Sequence, residues 1–411
     1  MLYNLGMFLL NSAIKIAAPF NPKAKLWCKG REHLLEKIET AMLSVKGRVV
    51  WFHCASLGEF EQGRQLIEDW KKRHENDTIV LTFYSPSGYE MRKDYKGADF
   101  VYYLPLDSSS NAQRFVKALN PKYAFFIKYE YWNNYLRELK NNGTKTYLVS
   151  AIFRKNDLFF KSYGNFHRSM LLYFDNLFVQ NEESKQLLST IGINNVNVFG
   201  DTRFDRVYNI ISQTRKLEKI EAFAEGKEVF ICGSSWPKDD EIVVSLIEKY
   251  KDISFIIVPH EIGEAKIVAL VEKISKLGRE CVRYSKCEKI ENYRSSSVVV
   301  VDVIGILSSI YKYGRYGYIG GGFGVGIHNT LEAATFGLPL IFGSNYKRFD
   351  EAVSLVKLGS AQPINGFEEA SKWLETMRKD KELYEKLSKK SAEFVEKNIG
   401  ATSKIFNFIE E

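Results

Sequence analysis

Three short segments of this 411-residue chain place hydroxyls, carboxylates and glycines directly after apolar, strand-like runs. In the first segment, residues 55–59, Gly58 permits a tight turn and Glu59 begins a predicted helix. A carboxylate at a helix N-terminus stays ionised with the help of the helix dipole, so Glu59 is a candidate general base toward a hydroxyl. Ser56 and Glu59 also have the S-x-x-E spacing of a capping box, which requires no catalysis.

The second segment, residues 233–237, joins a strand-like run to a helix that carries acidic residues in its first turn. Backbone N–H groups at a helix N-terminus, together with the hydroxyls of Ser234 and Ser235, suit a phosphate group. The alternative interpretation is an ordinary N-capped helix with Pro237 in its first turn.

The third segment is rich in glycine, with five glycines in residues 320–326. Glycines allow a ligand to approach the backbone and expose its N–H groups, so this pattern favours a ligand-binding loop over a simple turn. Asn329 and Glu332 follow on the first turn of a predicted helix, and their spacing puts them on one face. Glu332 is a candidate for binding ribose hydroxyls. The alternative is a flexible glycine loop followed by a helix cap.

Four further polar residues follow predicted strands or lie near the middle of the chain. Glu130 is a candidate substrate ligand or a helix cap, and Arg154 is a candidate anion ligand or a surface arginine. Arg203 is expected to contact a substrate or to form a hinge salt bridge. His260, which follows Pro259, is a candidate ligand, although a single histidine is more often structural.

These motifs are set in an alternation of short apolar strands and amphipathic helices, which predicts parallel α/β sheets. In such sheets ligands bind at the carboxyl ends of the strands, where all the motifs lie. We therefore predict two doubly wound, Rossmann-like domains that face a central cleft. The predicted strands are residues 49–54, 78–83, 124–128, 146–150, 176–179 and 196–199 in the first domain, and 229–232, 255–258, 298–301, 317–319 and 338–342 in the second.

Composition limits the partners. The net charge of +8 favours anionic ligands, but the chain has no dense basic run and no nucleic-acid-binding signature, so we expect no nucleic acid. Five cysteines without a CxxC pair, and no clustered histidines, predict a reducing compartment and no structural zinc.

Residues 1–20 are largely apolar and are interrupted by Asn4, Asn11 and Lys15. These three positions fall near one face of a helix, which favours an amphipathic helix lying in the plane of a membrane surface. The alternative is an ordinary core helix.

Taken in order, seven stretches resemble the Kdo transferases of lipopolysaccharide synthesis, where Kdo is 3-deoxy-D-manno-octulosonic acid. The resemblance covers nearly the whole chain, and no single stretch carries it alone. The stretches are residues 51–61, 128–133, 150–154, 200–205, 233–236, 302–307 and 320–349.

The resemblance implies a GT-B fold, a CMP-Kdo donor and a lipid A precursor (lipid IVA) as acceptor, with inversion at the transferred carbon and neither metal nor cofactor. It also implies that the protein acts at the cytoplasmic face of the bacterial inner membrane, to which the N-terminal segment anchors it. The domains it suggests are residues 1–20 (membrane helix), 21–210 (acceptor domain), 211–397 (donor domain) and 398–411 (a terminal helix returning to the first domain). Alternatives are a UDP-sugar epimerase or another lipid glycosyltransferase.

Carried over by position, the resemblance makes Glu59 the general base. It implies substrate binding by Ser56, Gly58, Glu130, Arg154 and Arg203. It implies donor-nucleotide binding by Gly233, Ser234, Ser235, Pro259, His260, Gly321, Gly322, Asn329 and Glu332.

Overall fold

Two parallel, seven-stranded sheets with helices on both faces organise the chain in the computed structural model, which describes residues 2–324 and 326–411. One sheet belongs to unit 1, which comprises the chain up to Arg206 together with Ile399–Glu411. The other belongs to unit 2, which comprises Val207–Asn398. This architecture confirms the predicted α/β GT-B fold class, whereas the facing of the two domains across a cleft stays a prediction.

The sheet of unit 1 has the strand order β3-β2-β1-β4-β5-β6-β7. The order of the strands reverses between β1 and β4, and such a reversal opens a crevice at the carboxyl ends of the two strands. The strands are β1 Val49–Cys54, β2 Thr78–Phe83, β3 Phe100–Tyr103, β4 Tyr123–Ile127, β5 Lys145–Ala151, β6 Asn176–Val179 and β7 Val196–Val198.

The helices that accompany this sheet begin with three at the amino terminus and end with one formed by the last residues of the chain. They are α1 Leu2–Ala17, α2 Pro22–Lys29, α3 Leu34–Met42, α4 Leu57–Arg73, α5 Pro86–Arg92, α6 Ser109–Leu119, α7 Asn133–Asn141, a 3-10 turn Leu158–Phe160, α8 Asn165–Leu171, α9 Glu182–Ser189, α10 Thr202–Gln213, which continues into unit 2, and α20 Ala401–Glu410.

The sheet of unit 2 has the order β10-β11-β9-β8-β12-β13-β14 and reverses between β8 and β12. Its strands are β8 Val229–Ser235, β9 Ser254–Pro259, β10 Cys281–Arg283, β11 Val298–Val300, β12 Tyr316–Ile319, β13 Leu340–Gly343 and β14 Ala361–Ile364. Its helices are α11 Glu218–Ala224, α12 Pro237–Lys249, α13 Glu264–Lys276, α14 Ile290–Ser295, α15 Leu307–Ile310, a 3-10 turn Tyr311–Tyr313, α16 Leu331–Thr335, α17 Asp350–Leu358, α18 Phe367–Lys379 and α19 Lys381–Glu396.

All eleven predicted strands are present, and the three that the sequence did not reveal, β3, β10 and β14, each lie at an edge of a sheet. The central strand β1 is buried along its whole length and therefore reads as one continuous apolar run. An edge strand is covered less completely, as the half-exposed Cys281–Arg283 shows, so its sequence lacks that signal.

Helix α20 completes the core of unit 1. Phe406 is buried with its ring 5.7 Å from that of Trp70, and Ile405 joins the same apolar cluster. The Asp205 carboxylate accepts hydrogen bonds from the backbone N–H groups of Gly400 and Thr402 (2.7 Å for Thr402), which holds the first turn of the helix.

Part of the polar side of helix α1 contacts the rest of unit 1, and its apolar side faces solvent. Asn4 accepts a hydrogen bond from Asn134 at 2.8 Å, whereas Leu9 and Ile16 are 58% and 73% exposed. No helix in the described part of the chain is both long and apolar enough to cross a membrane.

Candidate functional site

The reversal point of the unit 1 sheet carries Glu59, the predicted general base. Ser56 is the N-cap of α4: its hydroxyl oxygen accepts from the N–H of Gly58 at 3.3 Å, and its O–H donates to the Glu59 carboxylate. Glu59 itself is partly exposed at the start of the helix. Ser56 alone therefore caps the helix, because the Glu59 carboxylate accepts from the Ser56 hydroxyl and not from its backbone N–H as in a capping box. The role of Glu59 as a general base stays a prediction.

A second carboxylate, Glu130, lies at the same edge of the sheet. Burial raises the pKa of the Cys54 thiol well above its usual value, and the nearby charges of Glu59 and Glu130 raise that pKa further. Glu59 stands in the first turn of the helix after β1, and Glu130 follows β4, so both acids lie beyond the carboxyl ends of neighbouring strands.

Glu130 is only 6% exposed, and its hydrogen bonds go to side chains of unit 1. Its Oε2 lies 2.6 Å from Nε1 of Trp132 and 3.1 Å from Nε2 of His53. Helix α7 has Trp132, not Glu130, at its N-cap position. The helix-cap interpretation of Glu130 is therefore wrong.

The two predicted arginines of unit 1 are held by neighbouring polar groups. Arg154 donates to the hydroxyl of Tyr129 at 3.0 Å. Arg203 forms two hydrogen bonds with Asp201, at 2.8 and 3.0 Å. Burial of Asp201 opposes its ionisation, but the charge and hydrogen bonds of Arg203 outweigh it and lower the pKa of the carboxyl.

The reversal point of the unit 2 sheet joins the two predicted donor loops. Ser234, the residue before the last of β8, has a positive φ of 55° where the register of the strand shifts, and the buried Ser235 ends the strand. The Ser235 carbonyl accepts from the N–H of His260 at 2.9 Å, which ties the loop after β8 to that after β9.

The glycines after β12 allow backbone to pack on backbone. A Cβ on Gly320 would lie 2.2 Å from the carbonyl oxygen of Ser234, and one on Gly322 would lie 2.5 Å from the amide nitrogen of Gly343. Gly321 has a φ of 92°, and its N–H donates to Asp239 at 2.8 Å. The loop is thus a tightly packed turn, and the N–H of Gly321 is already engaged inside the unit.

Asp239, on α12, links the two donor loops. Its side chain is fully buried and accepts from the N–H groups of Trp236 (2.9 Å) and Gly321 (2.8 Å) and from the hydroxyl of Tyr318 (2.8 Å). Three donors on one buried carboxylate fix the loops after β8 and β12 in relation to each other.

Three rings stack beside these loops. The ring centroid of His260 lies 4.8 Å from that of Trp236 and 4.3 Å from that of His328. Trp236 Nε1 donates to Nε2 of His328 at 2.9 Å. Burial, and then the neighbouring His260, lower the pKa of His328 to about 4, so the ring is neutral at pH 7. An apolar cavity of about 420 Å³ lies next to this stack, lined in part by Trp236, Phe323 and Gly324.

Asn329 and Glu332 contact each other at the start of α16, where Asn329 donates to Oε1 of Glu332 at 3.0 Å. They therefore form one polar pair beside the glycine loop. In residues 2–324 and 326–411, no group of three His, Cys, Asp or Glu side chains is arranged to hold a metal ion.

Comparison with known proteins shows which family the chain resembles. Residues 31–206 match the family model of the 3-deoxy-D-manno-octulosonic-acid transferases (kdotransferases). The chain is 27% identical to the 3-deoxy-D-manno-octulosonic acid transferase of Aquifex aeolicus over 84% of this chain and 90% of that one. It is 28% identical to the enzyme of that name from Chlamydia muridarum, over 74% and 72% of the two chains.

Residues 31–206 thus match the Kdo transferase family, and most of the chain resembles its members. The predicted resemblance is thereby confirmed, and with it the class of glycosyltransferase of lipopolysaccharide synthesis. Among solved structures, the UDP-GlcNAc 2-epimerase of Neisseria meningitidis bound to UDP-GlcNAc is similar in fold, with a TM-score of 0.62, 15% identity and coverage of 89% of this chain and all of that one.

The structure gathers most of the predicted residues into two groups, one in each unit. Ser56, Gly58, Glu59 and Glu130 share one edge of the first sheet. The second group comprises Gly233, Ser234, Ser235, Pro259, His260, Gly321, Gly322, Asn329 and Glu332, around the carboxyl ends of β8, β9 and β12.

Several residues that support these groups were not found from the sequence, namely His53, Trp132, Asp239 and His328. Three non-glycine residues at these sheet edges have a strained backbone with positive φ. They are Lys128 (71°), Ser150 (53°) and Ser234 (55°), at the carboxyl ends of β4, β5 and β8. Non-glycine residues in this region concentrate at functional sites. No pattern in a single sequence predicts a positive φ at a non-glycine residue.

Proposed function

We propose that this protein moves Kdo from CMP-Kdo to a hydroxyl of a lipid A precursor, with inversion and without a metal ion. The observation that carries the proposal is that Glu59 and Glu130 follow β1 and β4, the two strands at the reversal point of the unit 1 sheet. Glu59 is partly exposed, as a base that must reach a substrate hydroxyl has to be, and its carboxylate accepts a hydrogen bond from Ser56. Glu130 is buried and pinned, which suits a group that orients the substrate.

The reaction is a single displacement. The acceptor hydroxyl oxygen forms a bond to the anomeric carbon of Kdo as the bond from that carbon to the phosphate oxygen breaks. The hydroxyl proton passes to Glu59, and CMP leaves with the electron pair of the broken bond. One displacement at one carbon inverts its configuration, and a carboxylate base is sufficient to remove the proton.

Unit 2 is proposed to bind the donor. Ser234 and Ser235 contact the phosphate, as suits hydroxyls at the amino terminus of a helix, and stabilise the charge that develops on leaving CMP. The nucleoside contacts are assigned to the loop that contains Gly321 and Gly322 and to the Asn329–Glu332 pair. Gly233, Pro259 and His260 complete this site. Arg154 and Arg203 are proposed to bind anionic groups of the substrates.

Helix α1 is proposed to rest on the cytoplasmic face of the inner membrane, where the lipid acceptor resides. Leu5, Phe8 and Leu9 are 53%, 63% and 58% exposed, a costly arrangement in water that burial in lipid would relieve. The polar contacts of Asn4 on the opposite side keep the helix attached to unit 1.

The test is incubation of the purified protein with CMP-Kdo and a tetraacylated lipid A precursor, with mass spectrometry of the lipid. We expect the lipid to gain the mass of Kdo and CMP to be released in equal amount. A thermal-shift comparison should show stabilisation by CMP and not by UDP. Stabilisation by UDP alone, with no gain of mass, would instead indicate a UDP-sugar enzyme.

A further inference from the structure

His53, next to the carboxyl end of β1, is a fully buried histidine that the displacement reaction does not use. A buried imidazole is costly unless both of its ring nitrogens have partners. Both do: Nδ1 lies 2.8 Å from Oγ1 of Thr82, and Nε2 lies 3.1 Å from Oε2 of Glu130. Because Thr82 belongs to the neighbouring strand β2 and Glu130 follows β4, these contacts run across three adjacent strands.

The direction of the hydrogen bonds follows from Trp51. Its indole N–H can only donate, and it lies 2.8 Å from the hydroxyl oxygen of Thr82. Thr82 therefore accepts from Trp51 and has one proton to give. The nearer acceptor is Nδ1 of His53 at 2.8 Å, whereas the carbonyl oxygen of Phe52 is 3.5 Å away.

This assignment fixes the tautomer of the histidine. If Nδ1 accepts, the proton of the neutral ring is on Nε2, which then donates to the Glu130 carboxylate. Trp132 Nε1 lies 2.6 Å from the same oxygen, Oε2, and 3.0 Å from Nε2 of His53. Because Nε2 carries the proton in this tautomer and cannot accept, the Trp132 N–H donates to Oε2, which is also the nearer atom. Two N–H groups thus saturate Oε2 and leave Oε1 of Glu130 to accept a hydrogen bond from a ligand.

We propose that the series Trp51, Thr82 and His53, here called the relay, positions Glu130 so that Oε1 accepts a hydrogen bond from the hydroxyl-bearing acceptor. His53 is then a positioning residue and not a catalytic one. The proposal rests on the proposed function, because it gives Glu130 the acceptor as its ligand. A relay of fully satisfied polar groups in the core fixes one geometry, whereas an apolar core at this place would leave the Glu130 carboxylate free to rotate.

The decisive variant is Thr82→Val, which removes the relay hydroxyl and keeps the shape of the side chain. Its matched control is Thr146→Val, a buried threonine of β5 in the same sheet whose hydroxyl bonds only to the carbonyl of Thr144, at 3.2 Å. With CMP-Kdo saturating, we expect Thr82→Val to lower kcat/KM for the acceptor about tenfold, the effect of one hydrogen bond to a charged system. We expect Thr146→Val to match the wild type and the KM for CMP-Kdo to stay constant in both.

A double-mutant cycle then separates positioning from packing. His53→Ala should cost about a hundredfold in kcat/KM for the acceptor when Glu130 is present. In a Glu130→Gln background the same substitution should cost much less, since the group that it positions has already lost its charge. Equal losses in the two backgrounds, or equal behaviour of Thr82→Val and Thr146→Val, would overturn the proposal.

Nitrogen-15 NMR of the histidine-labelled wild-type protein tests the relay without any activity. We expect His53, assigned by its absence in His53→Gln, to carry its proton on Nε2 only. A proton on Nδ1 would overturn the relay even in an active enzyme. Conversely, an intact tautomer in a protein that does not transfer Kdo would leave the relay standing as a device for orienting Glu130 and would refute the proposed acceptor.

Discussion

The two units share a sheet architecture but build their sites from different materials. In unit 1 the site consists of side chains: Glu59 and Glu130 are presented by a serine, a histidine and a tryptophan. In unit 2 the site is mainly backbone, since Gly320 and Gly322 bring loops into contact and Asp239 fastens them through their N–H groups.

This difference teaches which kind of substitution each unit tolerates. A site of side chains can lose one functional group while its frame stays intact, so that chemistry fails before folding does. In a site of packed backbone, chemistry and folding are lost together, because a single added methyl group displaces the loops themselves. Four predictions test this comparison, beginning with the largest expected effect.

Glu59→Gln removes the proposed base and nearly keeps the volume of the side chain. We expect kcat to fall about a thousandfold, within the usual range for loss of a general base, with CMP affinity and melting temperature close to those of the wild type. Product formation by mass spectrometry and a CMP thermal shift measure the two properties. Glu68→Gln, at a partly exposed glutamate of the same helix that pairs with Arg64, is the control. Turnover at the wild-type rate would remove Glu59 from the mechanism.

Acid should weaken unit 2 through His328. Its pKa is lowered to about 4 in the folded protein but returns to its ordinary 6.5 on unfolding, so stability is complete above pH 6.5 and is lost as the pH falls toward 4. The difference corresponds to about 3 kcal/mol. Urea unfolding at a series of pH values should show this loss in the wild type and a smaller one in His328→Gln. The control His74→Gln, in unit 1, should retain the full loss, and an undiminished loss in His328→Gln would contradict the assignment.

Gly322→Ala tests the packed backbone of unit 2. Its methyl group would lie 2.5 Å from the amide nitrogen of Gly343, so we expect a loss of about 2 kcal/mol in the free energy of unfolding together with weaker CMP binding. At Gly324 the nearest atom to an added methyl group is 3.7 Å away, which makes Gly324→Ala the matched control. Calorimetry with and without CMP compares them, and equal behaviour of the two variants would refute the packing argument.

Leu9→Ser tests the exposed side of α1. We expect binding to vesicles of anionic phospholipid to weaken by about 1 kcal/mol, since a partly inserted leucine contributes less than a fully buried one. Leu43→Ser, at a site that is 87% exposed outside α1, should bind as the wild type does. Vesicle sedimentation measures both variants. If the two lose affinity equally, α1 is not the membrane contact.

The sequence predicted the fold well because central parallel strands are buried on both faces and therefore stand out as apolar runs. It also located the ends of β1, β8 and β12, since glycines and serines mark the turns there. It did not reveal Asp239 or His53, because each looks ordinary until a distant segment meets it: Gly321 is 82 positions from Asp239, and Glu130 is 77 from His53. It also did not reveal that Gly320 and Gly322 pack backbone against backbone, because such a close approach leaves no local pattern.

The hold of Asp205 on the first turn of α20 has a consequence for synthesis of the chain on the ribosome. Domains emerge in order and fold as units, yet unit 1 receives α20 only after residues 401–410 have been made. Unit 2 is complete earlier, at Asn398. Until α20 has left the ribosome, the patch around Trp70 that Ile405 and Phe406 later cover stays open, so unit 1 begins to emerge first and completes its core last.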